Sequence, residues 1–331
     1  MTVETDGLSE ARLAVTAAAV SGDAGTMYRI VSGLMGEGVG FDAILFDLLV
    51  PAEQDVGARW QSGDYLVSEE HAATATVETV VSLLAGSLDR PEDGLHVVVA
   101  AAEGDDHSLP GRVVAAHLLF LGYRTTYLGG NVLASDLGEY LEVEPPRAMV
   151  LSCAMTTHLP GARAAIRAAH AVGVPVVAGG SGFGEGGRWA AALGADAWAP
   201  TPREVAGILS SWDPDPREAE AAAADPSPRL RELLERHTSV LASACRRLEP
   251  FPTPSQSRRL TDELSLLLGA VEASLLVGDD RVISDMARWQ RATLAAHGYD
   301  SHRGMVDALE AALGETAPEA EAALTRATAS L

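Results

Sequence analysis

Cysteine is almost missing from this chain: two in 331 residues, Cys153 and Cys245, too few for a disulfide framework. Basic residues are scarce as well, 24 Lys and Arg against 46 Asp and Glu, for a formal net charge of −22. So acidic a chain repels a phosphate backbone, and no basic helix or arm stands out, so nucleic acid is not an expected partner. Long apolar runs are absent too. None approaches the ~18 residues of a membrane span, and residues 1–6 lack the basic and apolar regions of a secretion signal. These absences describe a cytoplasmic protein with no membrane contact. There is no Walker A loop, no nucleophile elbow and no Cys/His zinc spacing. A sensor or carrier is therefore expected rather than an enzyme.

What is present is ample core material, with 47% of residues hydrophobic. Its period divides the chain. Over residues 1–90 apolar side chains recur at helical spacing through Leu13, Val15, Ile30, Val31, Leu34, Ile44, Leu45, Leu48 and Leu49. Gly36, Gly38 and Gly40 punctuate, Pro51 opens a new helix, and 67–84 reads as a long helix with Ser68 as its N-cap. This is a bundle of four or five helices. Over 91–213, β-rich runs at 95–101, 124–128, 148–152, 174–178 and 195–198 alternate with helical stretches at 111–121, 135–141, 160–171, 186–193 and 201–211. That alternation predicts right-handed βαβ units and a five-stranded parallel, doubly wound, flavodoxin-like sheet. Residues 214–228, rich in Pro, Ala and Glu, read as a linker. Residues 229–331 carry helical patterns alone, at 229–247, 257–277, 279–297 and 304–313. The expected class is α/β plus all-α: a helical-bundle cap, a sheet domain and a C-terminal helical domain.

Gly104-Asp105-Asp106-His107 follows the buried run Val97–Ala102. A histidine is thereby placed at the carboxyl end of a strand, where open α/β sheets bind ligands. The acid two residues before it can fix the imidazole tautomer and raise its basicity as a metal ligand. Ser152 ends the third strand, and Gly179-Gly180 ends the fourth, where missing side chains admit a flat ligand. In order and spacing, Asp105-x-His107, Ser152 and Gly179-Gly180 resemble the cobalamin-binding domain family over residues 94–212. The resemblance implies that His107 is the lower axial ligand to cobalt, replacing the cofactor's own base, with Asp105 behind it. It also implies that Ser152, Gly179 and Gly180 line the slot for the displaced nucleotide tail. Where the family usually has glycine three residues after the histidine, this chain has Pro110, followed by Gly111.

The helical half carries Trp60, nine residues, then Glu70-His71. With Leu49-Val50-Pro51, Gly57 and Val67-Ser68-Glu69 around it, this stretch resembles the cap of light-sensing, adenosylcobalamin-dependent regulators of the CarH type. The resemblance implies an indole over the upper ligand, a carboxylate for ribose hydroxyls, and His71 near cobalt after that ligand leaves. Two positions depart from it: Gln61 stands where those photoreceptors carry a histidine, and Ala72 where an acid is typical. The bundle begins near residue 8, so no DNA-binding module is expected ahead of it and the output partner is expected to be another protein.

The order of domains, with helices after the sheet, resembles the photocobilins, which add a C-terminal bilin-binding domain. On that resemblance Asp285, Arg288, Trp289 and His297, with Tyr299, supply a pyrrole acceptor, a propionate cation and flat walls for biliverdin or another bilin, held without attachment to Cys245. The expected cofactors are adenosylcobalamin and a bilin, and the expected assembly is a homodimer. Two readings stay open beside the light sensor: a corrinoid carrier serving methyltransferases, and a cobalamin-responsive module without light chemistry.

Overall fold

The computed structural model describes residues 3–89, 91–212, 227–248 and 254–329. The expected linker therefore lies outside the described residues up to position 226, and Pro228 already opens a helix.

Five helices come first: α1 (Val3–Val20), α2 (Ala24–Gly36), α3 (Phe41–Ala43), α4 (Val50–Gln61) and α5 (Val67–Gly86). Pro51 does not start a separate helix as expected. Residues 41–61 run on as one helical stretch, widened to π geometry over Ile44–Leu49, where the Val50 N–H reaches the Leu45 carbonyl. A proline lacks the N–H for the regular bond and its ring crowds the preceding turn, so a widened turn ahead of Pro51 accommodates it. Ser68 is not the N-cap of α5 either. Leu66 holds that place in extended backbone, and its N–H donates to Glu69 Oε2 at 2.7 Å. An acid three residues on supplies the reciprocal half of a capping box.

The sheet follows: β1 (His96–Ala101), α6 (Ser108–Phe120), β2 (Arg124–Tyr127), α7 (Ala134–Val143), β3 (Ala148–Ser152), α8 (Leu159–Ala171), β4 (Val176–Gly179), β5 (Ala197–Ala199) and α9 (Pro202–Ser211). All pairings are parallel, in the order β2-β1-β3-β4-β5. This is the flavodoxin-like order, whose switch point falls between β1 and β3. Alternate residues of each strand serve opposite faces. Val97, Val99, Val150 and Val177 pack under α6 and α9, while Val98, Ala100, Leu151 and Ala178 pack under α7 and α8. The helix expected over 186–193 is absent. Short 3₁₀ turns at Ser181–Phe183, Glu185–Gly187 and Ala191–Leu193 stand there, because Gly184, Gly186 and Gly187 sit at positive φ. A Cβ on Gly187 would lie 2.2 Å from the Trp198 ring.

Helix α6 is apolar on both sides. Val114, Ala115 and Leu118 face the sheet; Leu109, Val113 and Ala116 join the bundle core with Leu45, Leu48 and Val77. It ties the two parts together.

The C-terminal helices are α10 (Pro228–Leu248), α11 (Pro254–Val277), α12 (Arg281–Ala296), α13 (His302–Gly314) and α14 (Pro318–Thr328), the last not anticipated. They share a core of their own around Leu264, Val271, Ile283 and Leu309. Ala270, Ala273, Val282 and Met286 also join the sheet core with Leu141, Phe183 and Trp189, and Trp189 Nε1 donates to Asp279 Oδ2 at 3.0 Å. No helix among the described residues is long and apolar enough to cross a membrane.

Candidate functional site

His107 caps the N-terminus of α6 in the loop after β1. Its Nδ1 lies 2.6 Å from Asp105 Oδ1, and its backbone N–H donates to the same oxygen at 3.1 Å. The other carboxylate oxygen accepts the Ala154 N–H at 2.6 Å from the loop after β3. Burial of Asp105, which is fully enclosed, works against its charge. The hydrogen bonds from His107 and Ala154, with the His158 imidazole close by, outweigh burial and hold the carboxyl far below the usual carboxylate range. The fixed carboxylate in turn raises the His107 pKa through their hydrogen bond, against burial. With Nδ1–H committed to Asp105, Nε2 keeps its lone pair for a ligand. The imidazole is half exposed.

Two further loops brace this one. Asn131, itself at φ +51, donates its N–H to the Asp105 carbonyl at 2.8 Å and accepts the Gly104 N–H on Oδ1 at 2.8 Å. His158 Nδ1 approaches Asp105 Oδ1 to 3.5 Å. The sequence offered no signal for His158, which sits in a turn 53 positions after Asp105 in the numbering. Pro110 falls in the first turn of α6, where its missing N–H has no partner to lose, and Gly111 next to it meets the Tyr127 ring.

Beside Pro110 a slot of about 120 Å³ runs between the sheet and helices α6 and α9, lined by Val99, Val150, Ser152, Gly179, Gly180 and Val205 among others. Ser152 and Gly179 are paired neighbours on β3 and β4. The two glycines differ in kind. A Cβ on Gly179 would meet only the Ala199 carbonyl at 3.5 Å, whereas Gly180, at φ +107, has the Cys153 carbonyl oxygen 2.3 Å from that position. Gly180 is thus demanded by the fold itself, and Gly179 keeps the slot open.

Pro110 also lines a second, larger cleft of about 870 Å³ between bundle and sheet. Its floor is Asp106, His107, Ser108 and Leu109, and its roof comes from α4 and α5. Glu53, Gly57 and Trp60 fall on one face of α4 at i, i+4 and i+7; Val67, Glu70, His71, Thr74 and Glu78 do the same on α5. Sequence reading found Trp60, Glu70 and His71 but missed Glu53, Thr74 and Glu78, although helical spacing from Trp60 and Glu70 points to them. Glu70 Oε2 lies 2.7 Å from His71 Nδ1, and the His71 ring is largely exposed at the cleft. Thr74 Oγ1 contacts Glu53 Oε1 and stands 3.2 Å from Glu70 Oε1. One hydroxyl carries one proton and can donate to only one of the two carboxyl groups. Burial, opposed by the Thr74 bond and reinforced by the Glu70 charge, pushes the Glu53 pKa up.

The four residues expected around a bilin do not converge. Asp285 and Arg288 pair with each other at 3.0 Å on the exposed side of α12. Trp289 and His297 turn to Trp60, with ring centroids 6.0 and 6.2 Å away. Tyr299 packs with the C-terminal core, under the Arg259 guanidinium.

Among the described residues no group of three or more His, Cys, Asp or Glu side chains could enclose a bare metal ion. The floor suits a metal that arrives inside a macrocycle and needs one axial donor. His107, with Nδ1 held against Asp105, is a donor of that kind, and the slot lined by Ser152 and Gly179 lies beside it.

Known proteins resemble this chain over both parts that enclose the cleft. A family profile described as a B12 binding domain matches residues 95–206, and a second profile of the same description matches residues 13–85. The HTH-type transcriptional repressor CarH of Myxococcus xanthus is 40% identical over 100 residues, 30% of this chain and 31% of that protein. The match thus spans less than a third of the relative's length. Among solved structures, the Methanosarcina barkeri monomethylamine corrinoid protein aligns with a TM-score of 0.52 at 20% identity, covering 60% of this chain and 96% of the other. That likeness is one of fold. The two profile matches fall on the bundle and on the sheet, the two parts that enclose the cleft.

Proposed function

We propose that this chain, with cobalamin-binding domains over residues 13–85 and 95–206, is a light sensor that holds adenosylcobalamin between bundle and sheet. One observation carries the reading: Trp60, Glu70 and His71 face His107 across a single cleft of about 870 Å³. A carrier handing a small group to a partner enzyme needs that upper face open; here an indole and a row of polar side chains cover it. The cofactor would supply a cobalt–carbon bond that light cleaves.

The chain's residues do the rest. His107 Nε2 would be the protein's donor to the cobalt, and the slot beside Ser152 and Gly179 would receive the cofactor's own base. Asp105 accepts from Nδ1, which leaves Nε2 as the nitrogen that faces the ligand. Trp60 covers the upper group and Glu70 accepts from its hydroxyls. Contacts made by Trp60 and Glu70 in one state and absent in the other are what can move bundle against sheet, because a ligand shifts a conformation only by its differential contacts. His71, next to Glu70 at the cleft, is the candidate ligand once the upper position falls vacant, since Gln61 cannot serve as an imidazole donor. A protein partner would receive the change.

The bilin is a second part of the proposal. Arg288, 65% exposed on α12, offers a cation for a propionate, and Trp289 stands beside it in sequence. Binding there would require the Arg288–Asp285 pair to open.

The test is an absorption spectrum of the protein reconstituted with adenosylcobalamin, in the dark and after green light, repeated with biliverdin. A light-driven change in the cobalt bands that is lost in Trp60→Ala or reached in the dark by that variant supports the sensor. Identical dark and light spectra refute it. Failure to take up biliverdin refutes the bilin alone.

A further inference from the structure

Trp60 is held from behind by the C-terminal helices. Its backbone carbonyl, in the last turn of α4, accepts from His297 Nε2 at 2.9 Å. The Trp289 ring lies 6.0 Å from the indole, tilted by 45°, and the His297 ring lies 6.2 Å away at the same tilt. Backbones touch as well: Gly63, at φ +84, has the Ala296 carbonyl oxygen 2.6 Å from where a Cβ would be. At position 63 a side chain would collide with the end of α12.

The indole has no polar anchor of its own. Trp60 Nε1 is buried and lacks a hydrogen-bond partner. Its placement rests on packing and on whatever fixes its backbone. His297 does this at a position with a physical reason. The carboxyl ends of two helices meet here, α4 and α12, each with partial negative charge on its last carbonyls. An imidazole N–H directed from the C-cap of α12 to a carbonyl of α4 joins ends that would otherwise repel.

We infer that His297 is a positioning residue for Trp60, so that α12 completes the roof of the cofactor cleft from a segment 237 positions further along the chain. The inference rests on the reading of Trp60 as the cover of the upper ligand. It also gives the C-terminal helices a task that needs no pigment of their own: the indole cannot shift without loading α12.

The decisive comparison uses the full chain with His297→Leu, which removes the donor and keeps bulk, and His297→Gln, which restores an N–H donor. Trp60→Ala is the reference. In the protein without cofactor, amide hydrogen exchange over residues 58–63 should rise about fivefold in His297→Leu, the worth of a typical hydrogen bond. It should stay within about twofold of the wild type in His297→Gln, the allowance for an imperfectly placed amide donor. With adenosylcobalamin bound, dark loss of the upper ligand should accelerate in Trp60→Ala and in His297→Leu, and not in His297→Gln. Equal exchange in all variants would overturn the inference, as would accelerated loss in Trp60→Ala with none in His297→Leu. If Trp60→Ala itself changes nothing, the cover assigned to Trp60 fails, while the exchange data still decide the tie between His297 and Trp60. Should His297→Leu not fold, His297→Ala removes the same donor with less bulk and is read by the same exchange.

Discussion

At the residue scale the account depends on one carboxylate that serves two masters. Asp105 receives the Ala154 N–H on one oxygen and both groups of His107 on the other. Replacing it with Asn leaves the shape but removes the charge and one of the two acceptor oxygens, so that either His107 or the Ala154 N–H faces an NH2 group. Partners of this kind are worth 10–100-fold in metal affinity. Asp105→Asn should therefore weaken cobalamin binding by about 10–100-fold in an equilibrium titration; unchanged affinity would deny Asp105 its place behind the ligand. Glu53 allows a pH prediction. Its pKa is raised in the folded state by burial, so the stability it lends is fully present below the ordinary glutamate value. That stability is lost as pH rises through the raised value. Glu53→Gln should thus melt higher than the wild type at pH 7, with the gap closing as pH falls toward about 4.5. A gap that widens in acid would have the sign wrong.

At the element scale, what was legible in the sequence followed from periodicity. The five strands were read to within one or two residues; β1, β3 and β4 stand out as short buried runs of Val, Ala, Met and Leu that feed two faces, and β2 as a short run of Thr and Tyr. The failures came where glycine or proline overrode the pattern. Residues 186–193 look helical by composition, yet Gly186 and Gly187 at positive φ, with Gly184 just before them, break the run into turns. Pro51 reads as a start, yet it sits behind a π-widened turn in a continuous run. His107, Asp105 and Ser152 could be found because strand ends mark the site from the sequence alone. His158, Glu53 and the approach of α12 to Trp60 could not, since they depend on how separate elements pack. Gly180 supplies a test at this scale. Gly180→Ala places a Cβ against the Cys153 carbonyl at a φ that side chains avoid, and should cost about 1–3 kcal/mol in a denaturant melt. Gly179→Ala should cost little stability but narrow the slot, and so lower cobalamin affinity while the melt is nearly unchanged.

For the whole molecule, the cores are continuous across the boundaries that composition suggests. Helix α6 belongs to both bundle and sheet, and α11 and α12 place Ala270, Ala273, Val282 and Met286 in the sheet core. Units that share cores unfold together. Calorimetry of the intact protein should show one transition; two well-separated transitions would mean that the C-terminal helices stand apart from the sheet. This continuity lets a change at the cleft reach the C-terminal helices, from below through the Asp105 loops and from above through Trp60.

The central claim is that the cleft binds cobalamin with His107 as the lower ligand. The most direct measurement is electron paramagnetic resonance of the protein loaded with cob(II)alamin after ¹⁵N-histidine labelling. An axial histidine nitrogen turns the superhyperfine triplet of each cobalt line into a doublet, and His107→Ala should abolish the doublet. A triplet that survives labelling would show the cofactor's own base still on cobalt and would contradict the assignment.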